Sequence, residues 1–166
     1  IIGDSTCDLN KEMRTRLDVD YLQMGYVIDG KEYPASLDWD GLSASEFYNQ
    51  MRAGKHVTTT QVPAESILKK FQAYLNQDAD ILYVACSSAL PGSVNTSAVV
   101  SKELLEQYPE ARIRCVDSRN SSLGQGIQLM WANELRGEGK DVDEIADFLE
   151  KNRNCVNQCG TAASLE

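Results

Sequence analysis

Two periodicities divide this chain of 166 residues. Helical spacing comes first at Asn10–Leu17, after a short apolar start at Ile1-Ile2 that reads as the end of a strand. Leu22, Met24, Tyr26 and Ile28 then alternate at period two and run into Asp29-Gly30, a hairpin turn with Lys31-Glu-Tyr33 as the return strand. Ser43-Ala-Ser-Glu46 is a capping box that starts a helix ending near Gly54. Thr58–Pro63 reads as an extended connector, followed from Pro63 or Ala64 by a helix with Ile67, Leu68, Phe71, Tyr74 and Leu75 on one face.

The second half repeats a simpler unit. Ile81–Cys86 is a strand, about Gly92–Gln107 a helix, and Ile113–Asp117 a strand. Leu123, Ile127, Met130, Trp131 and Leu135 mark the apolar side of a helix that stops before Gly137 or Gly139. Asp141-Val-Asp-Glu144 is a second capping box, opening a helix through about Lys151. Strands alternating with helices predict a three-layer α/β/α domain with a mainly parallel sheet, to which the β-hairpin is an addition.

Charge narrows the partners. A formal net charge of −9 disfavours nucleic acid and anionic membrane surfaces, both of which need clustered Lys and Arg. No apolar run reaches the roughly 20 residues that span a bilayer, and Ile1–Ser5 has no leader character, so a cytoplasmic protein is expected. Five Cys without framework spacing fit free thiols, with Cys86 and Cys115 in strands and expected in the core. Cys155 and Cys159 lack two further ligands, since His56 is the only His, so no metal site is expected there. Residues 162–166 have no periodicity and resemble a cloning remnant.

Three strands end in similar chemistry: Asp4-Ser5-Thr6, Ser87-Ser88, and Asp117-Ser118 with Ser121-Ser122-Leu-Gly124 beyond. Ligands of open α/β sheets sit at strand carboxyl ends, where helix N-termini offer unpaired N–H groups to an anion. Ser, Thr and Asp are also ordinary N-caps, and Asp8 stands where a cap belongs. Asp4, Asp8 or Asp117 with Mg²⁺ would instead suit a phosphoryl-transfer or phosphatase-type enzyme. An acidic module that recruits a basic partner is a third reading. No Gly-x-Ser-x-Gly elbow, phosphate-binding Gly-Lys-Ser/Thr loop or dinucleotide fingerprint is present.

Four segments in order resemble the DegV family of bacterial fatty-acid-binding proteins over about 150 residues: Asp4–Leu9, Thr59-Thr-Gln-Val-Pro63, Ser87–Ala98 and Asp117–Gly126. The resemblance implies a long-chain fatty acid as ligand, no cofactor, no catalysis by the protein itself, and a separate fatty acid kinase as partner. It assigns the carboxylate grip to Thr59 and Thr60, with Gly92 and Ser93 standing in for a family serine that falls on Pro91. Proline offers neither hydroxyl nor N–H. Asp4, Ser5, Ser88, Asp117, Ser118, Ser122 and Gly124 are the expected supporting loop positions. Family members run to nearly twice this length, so residues 1–160 are expected to be an N-terminal domain without its C-terminal partner.

Overall fold

The computed structural model describes residues 1–90 and 92–159. Pro91 and the tail 162–166 lie outside the described residues. The first two strands, β1 (Ile2–Asp4) and β2 (Asp20–Leu22), flank α1 (Lys11–Leu17). A small hairpin follows, β3 (Gly25–Ile28) and β4 (Lys31–Pro34), then α2 (Ala44–Arg52) and β5 (Val57–Thr60). The remainder alternates as α3 (Ala64–Leu75), β6 (Ile81–Ala85), α4 (Ser93–Gln107), β7 (Ile113–Asp117), α5 (Ser122–Gly137) and α6 (Val142–Asn152).

Four strands pair in parallel in the order β2-β1-β6-β7. All five residues of the central β6 are buried because helices cover both faces of the sheet. Leu82 and Val84 point to a core shared with Leu17, Leu129, Ile145 and Leu149 of α1, α5 and α6. Ile81, Tyr83 and Ala85 point to the opposite core, with Ile67 and Phe71 of α3 and Val100 and Leu104 of α4. Both capping boxes form as the sequence predicts, Ser43 with Glu46 and Asp141 with Glu144. The cap of α1 is Asn10, whose side chain accepts from the Met13 N–H at 2.8 Å, and not Asp8.

Two expectations need correction. The period-two run Leu22–Ile28 is not one strand: it leaves the parallel sheet after Leu22 and re-enters a second sheet at Gly25. Nor is the segment at Thr58 merely a connector, since β5 pairs with β3 and turns the hairpin into a three-stranded antiparallel sheet, β4-β3-β5. The turn itself is as predicted, with Asp29 at φ 51° and Gly30 at φ 77°.

Helix α5 also presents a different face from the predicted one. Leu123 and Ile127 are exposed, at 56% and 38%, whereas Gly124, Gln125, Gly126, Gln128, Leu129 and Ala132 are buried. Close approach explains the reversal. A Cβ on Gly126 would lie 2.8 Å from the Cys7 carbonyl oxygen, so only glycine lets the helix come this near the β1 loop. Met130, Trp131 and Leu135 pack at the edge of the core, where the Trp131 ring meets Phe148 of α6 edge-on at 6.1 Å.

Candidate functional site

The three strand-end loops do meet, because β1, β6 and β7 are neighbours in the sheet. Much of their polar chemistry is engaged there with itself. Asp4 is fully buried and accepts from the N–H groups of Cys86 at 2.8 Å and Thr6 at 3.1 Å, and from the Thr6 hydroxyl at 2.5 Å. The Thr6 hydroxyl also lies 2.7 Å from Gln125 Oε1, whose amide donates to the Val84 carbonyl at 2.9 Å. This network ties β1, β6 and α5 together below the sheet edge.

Asp117 is held in the same manner. Burial opposes its ionisation, but the hydroxyl and N–H of Ser88 and the N–H of Arg119 outweigh it and lower its pKa. Ser118 is fully buried and bonds with Asn120, donating to its carbonyl and accepting from its N–H. Gly124 makes room for the protein's own side chains, since a Cβ there would meet Gln158 and Asn120. Ser122 donates to Asp8, whose backbone is left-handed at φ 53°. Ser5 accepts from the Met24 N–H at 3.0 Å and so joins the β1 loop to the start of the small sheet.

Between these loops and the small sheet lies a cleft of about 570 Å³, within the range of small-molecule sites. Its floor is Ser5, Thr6, Asp8, Leu9 and Cys86; its far wall is Met24, Tyr26 and Thr59. Phe47 of α2 and the connection between β4 and α2, residues 35–43, complete it with Leu37, Trp39 and Leu42. Buried Arg14 anchors this strap through Asp38 at 2.5 Å and also donates to the Leu9 carbonyl at 2.6 Å. Trp39 takes φ 57°, a conformation a bulky residue keeps only when its surroundings hold it. Its ring packs on Phe47 at 5.7 Å and Tyr48 at 6.2 Å. Among the described residues Asp8 is the only acidic one in the lining, and no Lys, Arg or His joins it.

The predicted grip residues are distributed unequally around this cleft. Thr59 lines it, but its neighbour Thr60 points to the other face of β5, as strand geometry demands. There the Thr60 hydroxyl donates to Glu32 at 2.5 Å, across Gly25, where any Cβ would collide with the pair. Ser93 is buried at the start of α4 and its hydroxyl accepts from the Val62 N–H at 3.2 Å. Gly92 is the N-cap of α4 and faces Gln61. The contact of Ser93 with Val62 brings the segments Thr59–Pro63 and Ser87–Ala98 together. Ser88, Asp117, Ser118, Ser122 and Gly124 are not among the residues that line the cleft.

Sequence reasoning missed the apolar walls: Tyr26, Leu37, Trp39, Leu42 and Phe47. Only the period-two placement of Tyr26 hinted at a shared face with Ile28. Cys86 is buried at the floor and Cys7 beside it, and burial pushes the Cys7 thiol up to about 11. Cys115 is half-buried against the second core. Among the described residues no group of three His, Cys, Asp or Glu is placed to hold a metal ion.

Comparison with known proteins sets this geometry in context. A family model described as uncharacterised proteins of the DegV family matches residues 1–165. A DegV domain-containing protein of Clostridium perfringens is 40% identical over 166 residues, covering 100% of this chain and 57% of that protein. This chain belongs to the DegV family. It spans about half the length of the curated relatives it matches. Among solved structures, a DegV family protein from Thermus thermophilus, described by its fatty acid binding, superposes with a TM-score of 0.79 at 27% identity. That match covers 92% of this chain and 52% of the other. DegV of Bacillus subtilis, described as a fatty acid binding protein, shares the fold with a TM-score of 0.78 at 22% identity over 92% of this chain and 52% of its own. The α/β/α architecture of this chain is thus the DegV fold, and no helix among the described residues is long and apolar enough to cross a membrane.

Proposed function

We propose that this chain binds a long-chain fatty acid in the cleft between the β1 loop and the small sheet. The observation that carries this reading is the lining: apolar walls from Tyr26, Leu37, Trp39, Leu42 and Phe47, with the Thr59 hydroxyl among them. A long acyl chain requires such walls, and its carboxylate requires donors at one end. The first turn of α4 lacks a side-chain cap and lies beside the Thr59–Pro63 segment, which makes its N–H groups a second source of donors. Fatty acid binding described for DegV proteins of known structure supports the reading.

The same reading makes the chain one domain of a two-domain protein. Among the described residues no Lys, Arg or His lines the cleft, and a desolvated carboxylate without a cation beside it is costly, so the complete site draws further donors from the remaining half. The protein acts as a carrier in the cytoplasm and not as a catalyst. Its acyl carboxylate, at the rim, is the end a fatty acid kinase would phosphorylate. Of the three carboxylates a metal-dependent enzyme would draw on, Asp4 and Asp117 are committed to hydrogen bonds within the fold, and Asp8, in the cleft lining, accepts from the Ser122 hydroxyl.

Two adjacent threonines test the assignment in the full-length protein. Thr59→Val should weaken fatty acid binding about tenfold, the worth of one hydrogen bond to a charged group. Thr60→Val should leave affinity near the wild-type value, because its hydroxyl serves Glu32. Equal affinities for wild type and Thr59→Val, read by displacement of a fluorescent fatty acid, would refute the assigned grip.

A further inference from the structure

Helix α2 is attached to this protein differently from the other α-helices. Each of those buries side chains, whereas α2 buries none. Its capping box and its last turn close within residues 43–55. Among the described residues, no hydrogen bond or ion pair joins Ala44–Arg52 to anything outside that stretch. Ring contacts hold it instead. Phe47 meets Tyr26 of β3 edge-on at 5.2 Å, Tyr48 at 5.4 Å and Trp39 at 5.7 Å. Apolar contact has no direction of its own, so these rings can part without leaving a buried polar group unpaired.

Packing beneath the helix is also incomplete. Thr59, Tyr26 and Tyr33 stand in register across the small sheet. On the other side of the strap from the cleft, a second cavity of about 370 Å³ is lined by Gln50 of α2 and by Tyr26, Ile28 and Tyr33 of the sheet. Tyr26 lines both cavities. A helix over such a space forfeits dispersion contacts on that side and has low local stability.

Both ends of α2 are tied down beyond it. Upstream, Leu37 packs against the first core and buried Arg14 holds Asp38 at 2.5 Å. Downstream, Lys55 pairs with Asp29 at 2.8 Å and β5 joins the small sheet from Val57. Between these anchors and the helix stand Gly41, where a Cβ would meet nothing within 4 Å, and Gly54, left-handed at φ 88°. Glycine accepts the backbone rotations a hinge demands.

We propose that α2 is a lid hinged at Gly41 and Gly54, lifting from the small sheet to admit and release the ligand of the cleft. Leu42 and Phe47, both in the cleft lining, move with it. The strand-end floor and the Arg14 anchor stay in place. The identity of the ligand rests on the fatty-acid reading above; the lid itself rests on how α2 is held.

Two measurements on the full-length protein test the lid. Tyr48 packs on Phe47 and Trp39 from outside the cleft lining, so Tyr48→Ala loosens the helix without removing a ligand contact. In stopped-flow exchange of a fluorescent fatty acid it should raise association and dissociation rates together by about fivefold, the worth of one aromatic pair, with their ratio unchanged. Gly41→Ala stiffens the hinge and should slow both rates. Hydrogen exchange of the ligand-free protein should show α2 amides opening well before those of α3 and β6. Unchanged rates in both variants, or α2 amides as protected as those of β6, overturn the lid while leaving fatty acid binding intact. A faster dissociation with affinity lost in proportion makes Tyr48 a ligand contact and overturns it too. A wild type that binds no fatty acid overturns the fatty-acid reading, and hydrogen exchange then decides the lid by itself.

Discussion

The two sheets of this protein treat polar side chains in opposite ways. In the parallel sheet, helices cover both faces and Asp4, Ser118, Asn120 and Gln125 are buried with partners, so strand-end polarity is spent on structure. In the antiparallel sheet, the face carrying Thr59, Tyr26 and Tyr33 is covered only in part, by Phe47 and the strap of residues 35–43, and the uncovered space is the cleft. The lesson concerns where to look for a ligand. A polar strand end in a fully layered sheet is occupied by its neighbours, whereas an incompletely covered apolar face leaves room.

The largest break in this contrast should come from Asp4→Ala. It strips the N–H groups of Cys86 and Thr6 of their acceptor inside the parallel core, while the Thr6 hydroxyl keeps Gln125 Oε1. Each buried donor left unpaired costs about 1–3 kcal/mol, so a global loss of roughly 3 kcal/mol or more is expected in urea unfolding. A loss below about 1 kcal/mol would mean the network is dispensable.

Arg14→Met should act on the other region and by less. It keeps the buried stem but leaves Asp38 and the Leu9 carbonyl without their donor. With Asp38 at 27% exposure, the cost is about 2 kcal/mol, below that of a fully buried pair. Hydrogen exchange should accelerate in residues 35–43 while β6 stays protected, as fits a strap of lower local stability. Acceleration spread evenly over both sheets would erase the distinction drawn here.

The smallest effect is a pH dependence at the edge of the parallel sheet. Burial opposes ionisation of Asp20, but the Lys70 ammonium, the Tyr21 N–H and the Tyr74 hydroxyl outweigh it, so its pKa lies below the ordinary carboxylate value. A lowered folded-state pKa stabilises the protein above the unfolded value of about 4, and that contribution is lost as pH falls through the folded value. Asp20→Asn should therefore flatten the acid limb of stability against pH below about 4. Solvent at this half-exposed pair keeps the change modest. An identical acid limb in the variant would remove Asp20 from the account.

What could be read in the chain follows from the range of the forces involved. The capping boxes at Ser43 and Asp141, the turn at Asp29-Gly30 and the buried run Ile81–Ala85 are local in origin, set by hydrogen bonds and backbone conformations within a few residues. They are the features the structure reproduces. The outward stripe Leu123–Ile127 misled because periodicity fixes which residues share a face but not which way that face turns. Gly126 against Cys7 decided it, through a contact between segments more than a hundred residues apart.

The sequence by itself determined the helices, their alternation with the strands of the parallel sheet and the gathering of the Asp4, Ser88 and Asp117 loops, because parallel βαβ connections admit few topologies. Tertiary structure alone decided that Thr59 faces the cleft and Thr60 the Glu32 side, since parity along a strand has meaning only once β5 pairs with β3 in a given register. It alone set Tyr26 between two cavities and stretched the strap over them from the Arg14 anchor. The cleft is a place where packing stops, and where packing stops depends on every element that comes near it.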